Sequence, residues 1–340
     1  MGKLTLALIP LTLLLAACSI LFGPVSIPAT EVARALAGME VAQPSWGYIV
    51  TESRLPQTVT AILCGASLST AGLLLQTSFR NPLAGPSILG ITSGASLGAA
   101  IVMLLCGGVI AVGGSYGGET MQAGGIVAVM AGAFIGAMAV IALLLSFTGI
   151  LGNRLMLLIT GLMVSYLTSS VVSLLNFFAD AENIQSYVMW GMGSFSDVTL
   201  RQLPWFAAIC LTGLCIAILL TKPLNALLLG DDYAQNLGVN IRRTHRLLLL
   251  ATGLLTAACT ACCGPVAFLG LAVPHIARLI TGASSHTVLL PTTMLCGACL
   301  ALLCNIICVT PTDTVIPLNA VTPIFGAPVI IYIIIKSRTA

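Results

Sequence analysis

From Leu55 to Phe79 the chain carries no charged side chain, and runs of this kind recur along almost its whole length. A segment buried in a bilayer must satisfy its own backbone hydrogen bonds, and a helix of about 20 apolar residues crosses the hydrocarbon core. The recurring runs therefore confine the chain to an all-α polytopic membrane protein. Charged residues make up 7% of its 340 residues and apolar ones 58%, whereas a soluble domain carries about 25% charged residues. A water-soluble fold is excluded on that ground.

The length leaves room for about ten transmembrane helices. The runs read as spans cover 4–22, 55–79, 91–112, 123–147, 154–177, 204–220, 247–263, a stretch opening at Gly264, 288–309 and 319–336. The last is expected to be broken at Pro323 and Pro328. Leu15-Ala-Ala-Cys18 imitates a lipoprotein cleavage box, but the topology uses this run, which is read as a retained span. Residues 23–53 form an external segment with a short helix around 30–37. Turns are expected at 113–122, 149–153 and 311–317. Residues 178–203 are polar, with Tyr187 and Trp190 suited to the membrane interface.

Charge then orients the bundle. With the N-terminus inside, Lys3, Arg80, Arg154, Lys222, Arg242, Arg243, Arg246, Arg278, Lys336 and Arg338 fall inside, and only Arg34, Arg54 and Arg201 outside. That is the positive-inside pattern, with both termini cytoplasmic. Asp231 and Asp232 lie inside, while Glu31, Glu40, Glu52, Glu119, Asp180, Glu182, Asp197 and Asp313 lie outside. Residues 1–340 are read as one transmembrane domain.

One polar island interrupts the second half, between spans six and seven, within a cytoplasmic segment at 223–246. Gly230, Asp231, Asp232, Tyr233, Ala234, Leu237 and Gly238 predict a short helix, its acidic pair near the N-terminus and Gly238 as its stop. Arg242, Arg243 and Arg246 follow at the start of the next span. A short helix kept outside the bilayer implies a partner.

Several chemistries find no support. No acidic residue falls within a span, which counts against a proton- or sodium-coupled carrier. No phosphate-cradling Gly-x-x-x-x-Gly-Lys-Ser/Thr loop occurs, so the chain is read as having no ATPase site of its own. Gly94-Ala-Ser-Leu-Gly98 matches a serine-hydrolase elbow but sits in a small-residue helix, where packing is the reading. The twelve cysteines all fall in apolar runs, where a thiol acts as a small hydrophobe. Cys296, Cys299, Cys304 and Cys308 spread around about half a helix and do not converge on a metal. His245 and His286 are read as solvated or headgroup-facing, and His275 as packing the inner end of its helix. No convergent His, Asp or Glu cluster supports a membrane-embedded enzyme.

Four blocks carry a family resemblance. Arg54-Leu-Pro56 and Arg80-Asn-Pro-Leu-Ala-Gly-Pro-Ser-Ile-Leu-Gly-Ile-Thr-Ser-Gly-Ala95 are the first, with Arg80, Asn81 and Pro82 at the head of the longer string. Leu229-Gly-Asp-Asp-Tyr-Ala-Gln-Asn-Leu-Gly-Val239 is the second. Gly264, Pro265, Pro274, His275 and Arg278 mark the third, and Gly326 and Pro328 the fourth. Together they resemble FecCD-type membrane subunits of ABC importers for ferric siderophores, haem and vitamin B12. The resemblance implies a type II importer architecture, with two copies of the chain forming a pore between them. It also implies two cytoplasmic ABC ATPase subunits, which bind the ATP and grip the helix at 231–238, and a periplasmic or surface substrate-binding protein. It places the chain in a bacterial cytoplasmic (inner) membrane, and no cofactor and no nucleic acid are implied. Arg54 and position 57 would face the binding protein, but Gln57 stands where the family has a second arginine. Val315 and Asn319 likewise stand where it has an acidic residue and a glycine. The expected translocation path is Leu68, Gly72 and Gln76 of the second span with Met163 and Leu167 of the fifth. The expected cargo is an iron chelate, siderophore or haem, with cobalamin as the alternative.

Overall fold

A computed structural model describes residues 3–105, 119–151, 154–310 and 315–339. Most of the turn expected at 113–122 lies outside them, as do Cys106, residues 152 and 153, and 311–314 with Asp313. The side chains of Lys3, Glu119, Arg154, Lys336 and Arg338 also lie outside the described residues.

The regular elements among the described residues are all helical. α1 (Lys3–Leu21) leads to two short helices, α2 (Ala29–Leu36) and α3 (Pro44–Tyr48). A π-turn over Ile49–Arg54 joins α3 to α4 (Leu55–Phe79). α5 (Ile91–Ala100) continues into a second π-turn, Ile101–Leu105, and is followed by α6 (Glu119–Leu151), α7 (Arg154–Phe178) and the short α8 (Ala181–Gly191). Then come α9 (Leu203–Leu219), α10 (Thr221–Leu228), α11 (Asp231–Asn236) and α12 (Ile241–Cys263). The chain closes with α13 (Leu269–Thr281), α14 (His286–Val309) and α15 (Leu318–Thr339).

Among the described residues, five stretches are long and apolar enough to cross a membrane: Pro44–Phe79, Gly125–Phe147, Met156–Phe178, Ile241–Cys263 and His286–Val309. α9 and α10 add a sixth if taken as one span bent by 49°. Shorter apolar helices cover Thr5–Leu21, Ile91–Leu105, Leu269–Thr281 and Leu318–Ile333. The chain is thus a multi-pass membrane protein.

α4 is the axis of the bundle, with every residue from Cys64 to Phe79 buried. Its small side chains admit neighbouring helices to backbone contact. A Cβ at Gly65 would stand 2.2 Å from the Gly297 carbonyl oxygen on α14, and one at Gly72 would stand 1.6 Å from that of Gly270 on α13. The Gly94–Gly98 string does the same work on α5. A Cβ at Gly98 would lie 2.0 Å from the Gly132 carbonyl oxygen on α6. The elbow-like pattern is a packing surface.

Two boundaries differ from expectation. α15 runs unbroken through Pro323 and Pro328. Each proline removes one N–H, but a packed membrane helix absorbs that loss locally and continues. The break falls instead before α13, at 264–268, where Gly264 (φ 71°) and Phe268 (φ 66°) take left-handed backbone. α12 begins at Ile241, earlier than the apolar run, so Arg242, Arg243 and Arg246 occupy its first turns. The Asn240 side chain caps it, accepting from the Arg243 N–H at 3.0 Å, as a short polar residue does at that position.

Candidate functional site

The polar island folds as the short helix α11, bounded by Gly230 (φ 119°) and Gly238 (φ 82°). Glycine is required there because L side chains rarely adopt those backbone angles. Ala234 is fully buried, whereas Tyr233, Leu237 and nearby Leu229 are exposed. One side of α11 is seated on the protein. The other presents apolar surface outward, flanked by Asp232.

α11 is tied to the end of α4. Arg80 Nη2 donates to Asp231 Oδ1 at 3.1 Å and reaches the Leu227 carbonyl of α10 at 3.5 Å. The Arg80 backbone itself is left-handed, at φ 48°. It terminates α4 with two bonds, Asn81 N–H to the Gln76 carbonyl at 3.2 Å and Arg80 N–H to the Thr77 carbonyl at 3.3 Å. That is a Schellman ending with arginine where glycine is usual.

The three residues just before this ending each bind a different helix. Gln76 donates to the Leu271 carbonyl at 3.2 Å and accepts from Arg278 Nη1 at 2.7 Å, both on α13. Thr77 Oγ1 lies 2.8 Å from His286 Nε2 on α14. His286 Nδ1 lies 3.1 Å from Asn225 Oδ1 on α10, which also accepts the His286 backbone N–H at 2.7 Å. A carbonyl oxygen only accepts, so Nδ1 carries the ring proton, and the one Thr77 hydroxyl proton is shared between His286 Nε2 and the Leu73 carbonyl, 3.0 Å away. Ser78 Oγ pairs with His245 Nδ1 of α12 at 2.9 Å.

The remaining motif residues support this end. His275 Nε2 donates to the Pro82 carbonyl at 2.8 Å, and Arg278 Nη1 lies 3.4 Å from its Nδ1. The Asn81 side chain accepts from the Leu83 N–H at 2.9 Å and shapes the turn after α4. Pro274 lies within α13. Gly326 packs on Phe268, whose Cβ would stand 2.5 Å from a Cβ added there. Pro328 is exposed on α15.

Several expected positions are corrected. His286 is buried and hydrogen-bonded rather than headgroup-facing, because α10 and α4 close over the start of α14. Arg54 is 4% exposed. Its guanidinium donates to the carbonyls of Ile20 (2.9 Å) and Leu21 (2.8 Å) and to that of Val25. It binds down the end of α1, so little of its side chain is exposed in a single subunit. Gln57 donates to Asn305 Oδ1 at 3.0 Å. The expected path residues do not share a surface either. Leu68, Gly72 and Gln76 are buried within the subunit, whereas Met163 and Leu167 are exposed on α7.

At the Arg54 end of α4, a cavity of about 1050 Å³ opens between α8, the π-turn after α5 and α14, lined by Gln57, Met103, Trp190, Asp197 and Asn305 among others. Tyr187 of α8 stacks on Trp190 with ring centroids 6.1 Å apart, and burial pushes its phenol pKa up. Outside this lining, Asn319 ties α8 to the segment before α13: its Nδ2 donates to the Gly191 carbonyl (3.1 Å) and the Pro265 carbonyl (2.6 Å) while Oδ1 accepts the Ala267 N–H (3.1 Å). Gly264 fits against the same clasp, since a Cβ there would stand 2.4 Å from the Trp190 carbonyl oxygen. Sequence reasoning missed the roles of Thr77, Ser78, Asn225, His286 and Asn319. The polar triplet Gln76-Thr77-Ser78 closing an apolar helix was the available signal for the first two.

The model of the FecCD transport family matches residues 11–336. The vitamin B12 import system permease protein BtuC of Klebsiella pneumoniae is 34% identical, over 85% of this chain and 83% of its own. The hemin transport system permease protein HmuU of Yersinia pestis is 32% identical, over 86% and 84%. A solved inward-facing structure of a metal-chelate type ABC transporter superposes with a TM-score of 0.82 and 29% identity, covering 99% of this chain and 100% of that one.

Proposed function

The chain belongs to the FecCD transport family, and from that premise we propose that it is the permease through which a bulky iron chelate, ferric siderophore or haem, enters the cytoplasm. As a permease of the metal-chelate, siderophore, haem and B12 class of ABC importer, it is a transporter subunit. In this reading the four shorter apolar helices also cross the bilayer, giving ten spans with both termini cytoplasmic. Two copies line a pore and two cytoplasmic ATPases dock on residues 223–246. A substrate-binding protein delivers cargo to the opposite face.

The observation that carries the reading is α11: a six-residue helix, seated through Ala234, with Tyr233 and Leu237 turned outward. A lone helix with an exposed apolar face fits a partner's groove. ATP-driven closure of the ATPases would push on α11 and tilt the spans, since packed helices shift between discrete arrangements. Cargo would move along a weakly binding lining, because a conduction path must release what it admits. The exposed face of α7, with Met163 and Leu167, is the part of the expected path that stands open in a single subunit. The large cavity beside Trp190 suits a bulky cargo.

The test is ATP hydrolysis by the partner ATPase reconstituted in liposomes with this chain, comparing wild type with Tyr233→Asp. Hydrolysis that depends on the chain and collapses in the variant supports docking on α11. Equal activity in both abandons it. Loading candidate binding proteins with haem, ferric siderophore or cobalamin then identifies the cargo. Cobalamin is the competing reading, favoured by the likeness to BtuC, and its selective uptake would replace the iron chelate.

A further inference from the structure

Four of the last five residues of the α4 ending, Gln76, Thr77, Ser78 and Arg80, each hold a different part of the bundle. Gln76 holds α13, Thr77 holds α14, Ser78 holds α12 and Arg80 holds the α10–α11 junction. The first three attachments are made by buried side chains on the last turn of one helix. A displacement of that turn must therefore be shared by three other helices or break their hydrogen bonds. Arg80 is different in kind. Its ion pair with Asp231 is half-exposed, and exposed pairs stabilise a fold little.

Its backbone makes the contrast sharper. Arg80 occupies a left-handed position, φ 48°, where glycine would sit without strain. Strain retained at one residue points to a role for its side chain. That side chain ends beside Gly230, the bend between α10 and α11, where a Cβ would lie 3.8 Å from Arg80 Nη2. The guanidinium spans from the α4 ending to the Leu227 carbonyl before the bend and the Asp231 carboxylate after it.

We propose that Arg80 is a positioning residue that transmits movement of α11 to the last turn of α4, and through Gln76, Thr77 and Ser78 to α13, α14 and α12. The inference rests on the reading that α11 receives the ATPase. Arg80 touches neither cargo nor nucleotide. It couples a push on the bend to the core helices, so its loss separates ATP hydrolysis from cargo movement.

The experiment uses the full chain with its ATPase and loaded binding protein in liposomes, measuring complex recovery, ATP hydrolysis and cargo delivered per ATP. Arg80→Gly is the informative variant, because glycine suits the left-handed site and keeps the helix ending. The complex and hydrolysis are expected to persist while cargo per ATP falls about fivefold or more, the lower range of a site-to-site coupling. Arg80→Lys, which keeps the charge, is expected to recover most of the loss. Wild-type cargo per ATP in Arg80→Gly overturns the inference and leaves ATPase docking intact. A loss that Arg80→Lys fails to recover overturns the ion-pair route. Failure of the wild-type chain to bind the ATPase removes the docking reading and this inference together.

Discussion

Arg278 donates to the Gln76 side-chain oxygen at 2.7 Å, joining α13 to the last turn of α4. Gln76 also donates to the Leu271 carbonyl on the same helix. Both ends of its amide are therefore engaged by one neighbour, in a buried side chain. Gln76→Leu keeps the volume but strands a partly buried guanidinium and a carbonyl. A loss of about 2 kcal/mol is expected, read as a lower unfolding midpoint in detergent. An unchanged midpoint would show that the pair is dispensable to the fold.

Arg54 sits in the sequence where a docking arginine is expected, yet it is wrapped by three main-chain carbonyls. Arg54→Gln is expected to cost about 2–3 kcal/mol of stability by leaving those carbonyls underpaired. Affinity of the folded fraction for the binding protein should be unaltered, as measured by titration on purified, monodisperse protein. A selective loss of affinity at full stability would return Arg54 to the docking surface.

Glycine at position 72 is demanded by contact rather than by backbone angle, with the Gly270 carbonyl where its Cβ would be. Gly72→Ala must push α13 away from α4, and overpacking of this kind costs about 1–3 kcal/mol or more. Gly85→Ala is the matched control, since nothing lies within 4 Å of a Cβ there. Yield and monodispersity on size exclusion should fall for the first and hold for the second. Equal behaviour of the two variants contradicts the close crossing.

Asn319 holds, through its amide, three backbone groups from two distant segments. Asn319→Gly should loosen α8 from the 264–268 segment and the start of α15. Hydrogen exchange of residues 190–194 is expected to speed up markedly, with a stability loss of about 2 kcal/mol. Unchanged exchange would mean that the backbone bonds from Leu318 to the Gly193 carbonyl and from Asn319 to the Met192 carbonyl suffice alone.

Much of the fold was legible before any coordinates. Leu55–Phe79 emerged with the expected bounds, and the Gly230–Gly238 island became a short helix. Apolar runs and glycine breakers act over a few residues, so their effect is written locally. The failures have local causes too. Pro323 and Pro328 looked like breaks because proline is judged by the hydrogen bond it removes, whereas α15 accommodates that loss within its own turns and runs through both. The site was less legible. Arg54 and Gln57 share one motif, and nothing near them in sequence says that one clamps α1 while the other reaches Asn305.

By itself, then, the sequence determined that this chain is an all-helical membrane protein with one polar helix set between apolar runs. Hydrophobic length and helix-breaking residues are properties of short segments. Only the tertiary structure decided what the polar side chains do. Gln76, Thr77, Ser78 and Arg80 find partners 202, 209, 167 and 151 positions away. Such pairings depend on how helices cross, and the crossing depends on close backbone contacts such as Gly72 with Gly270 that no single segment encodes.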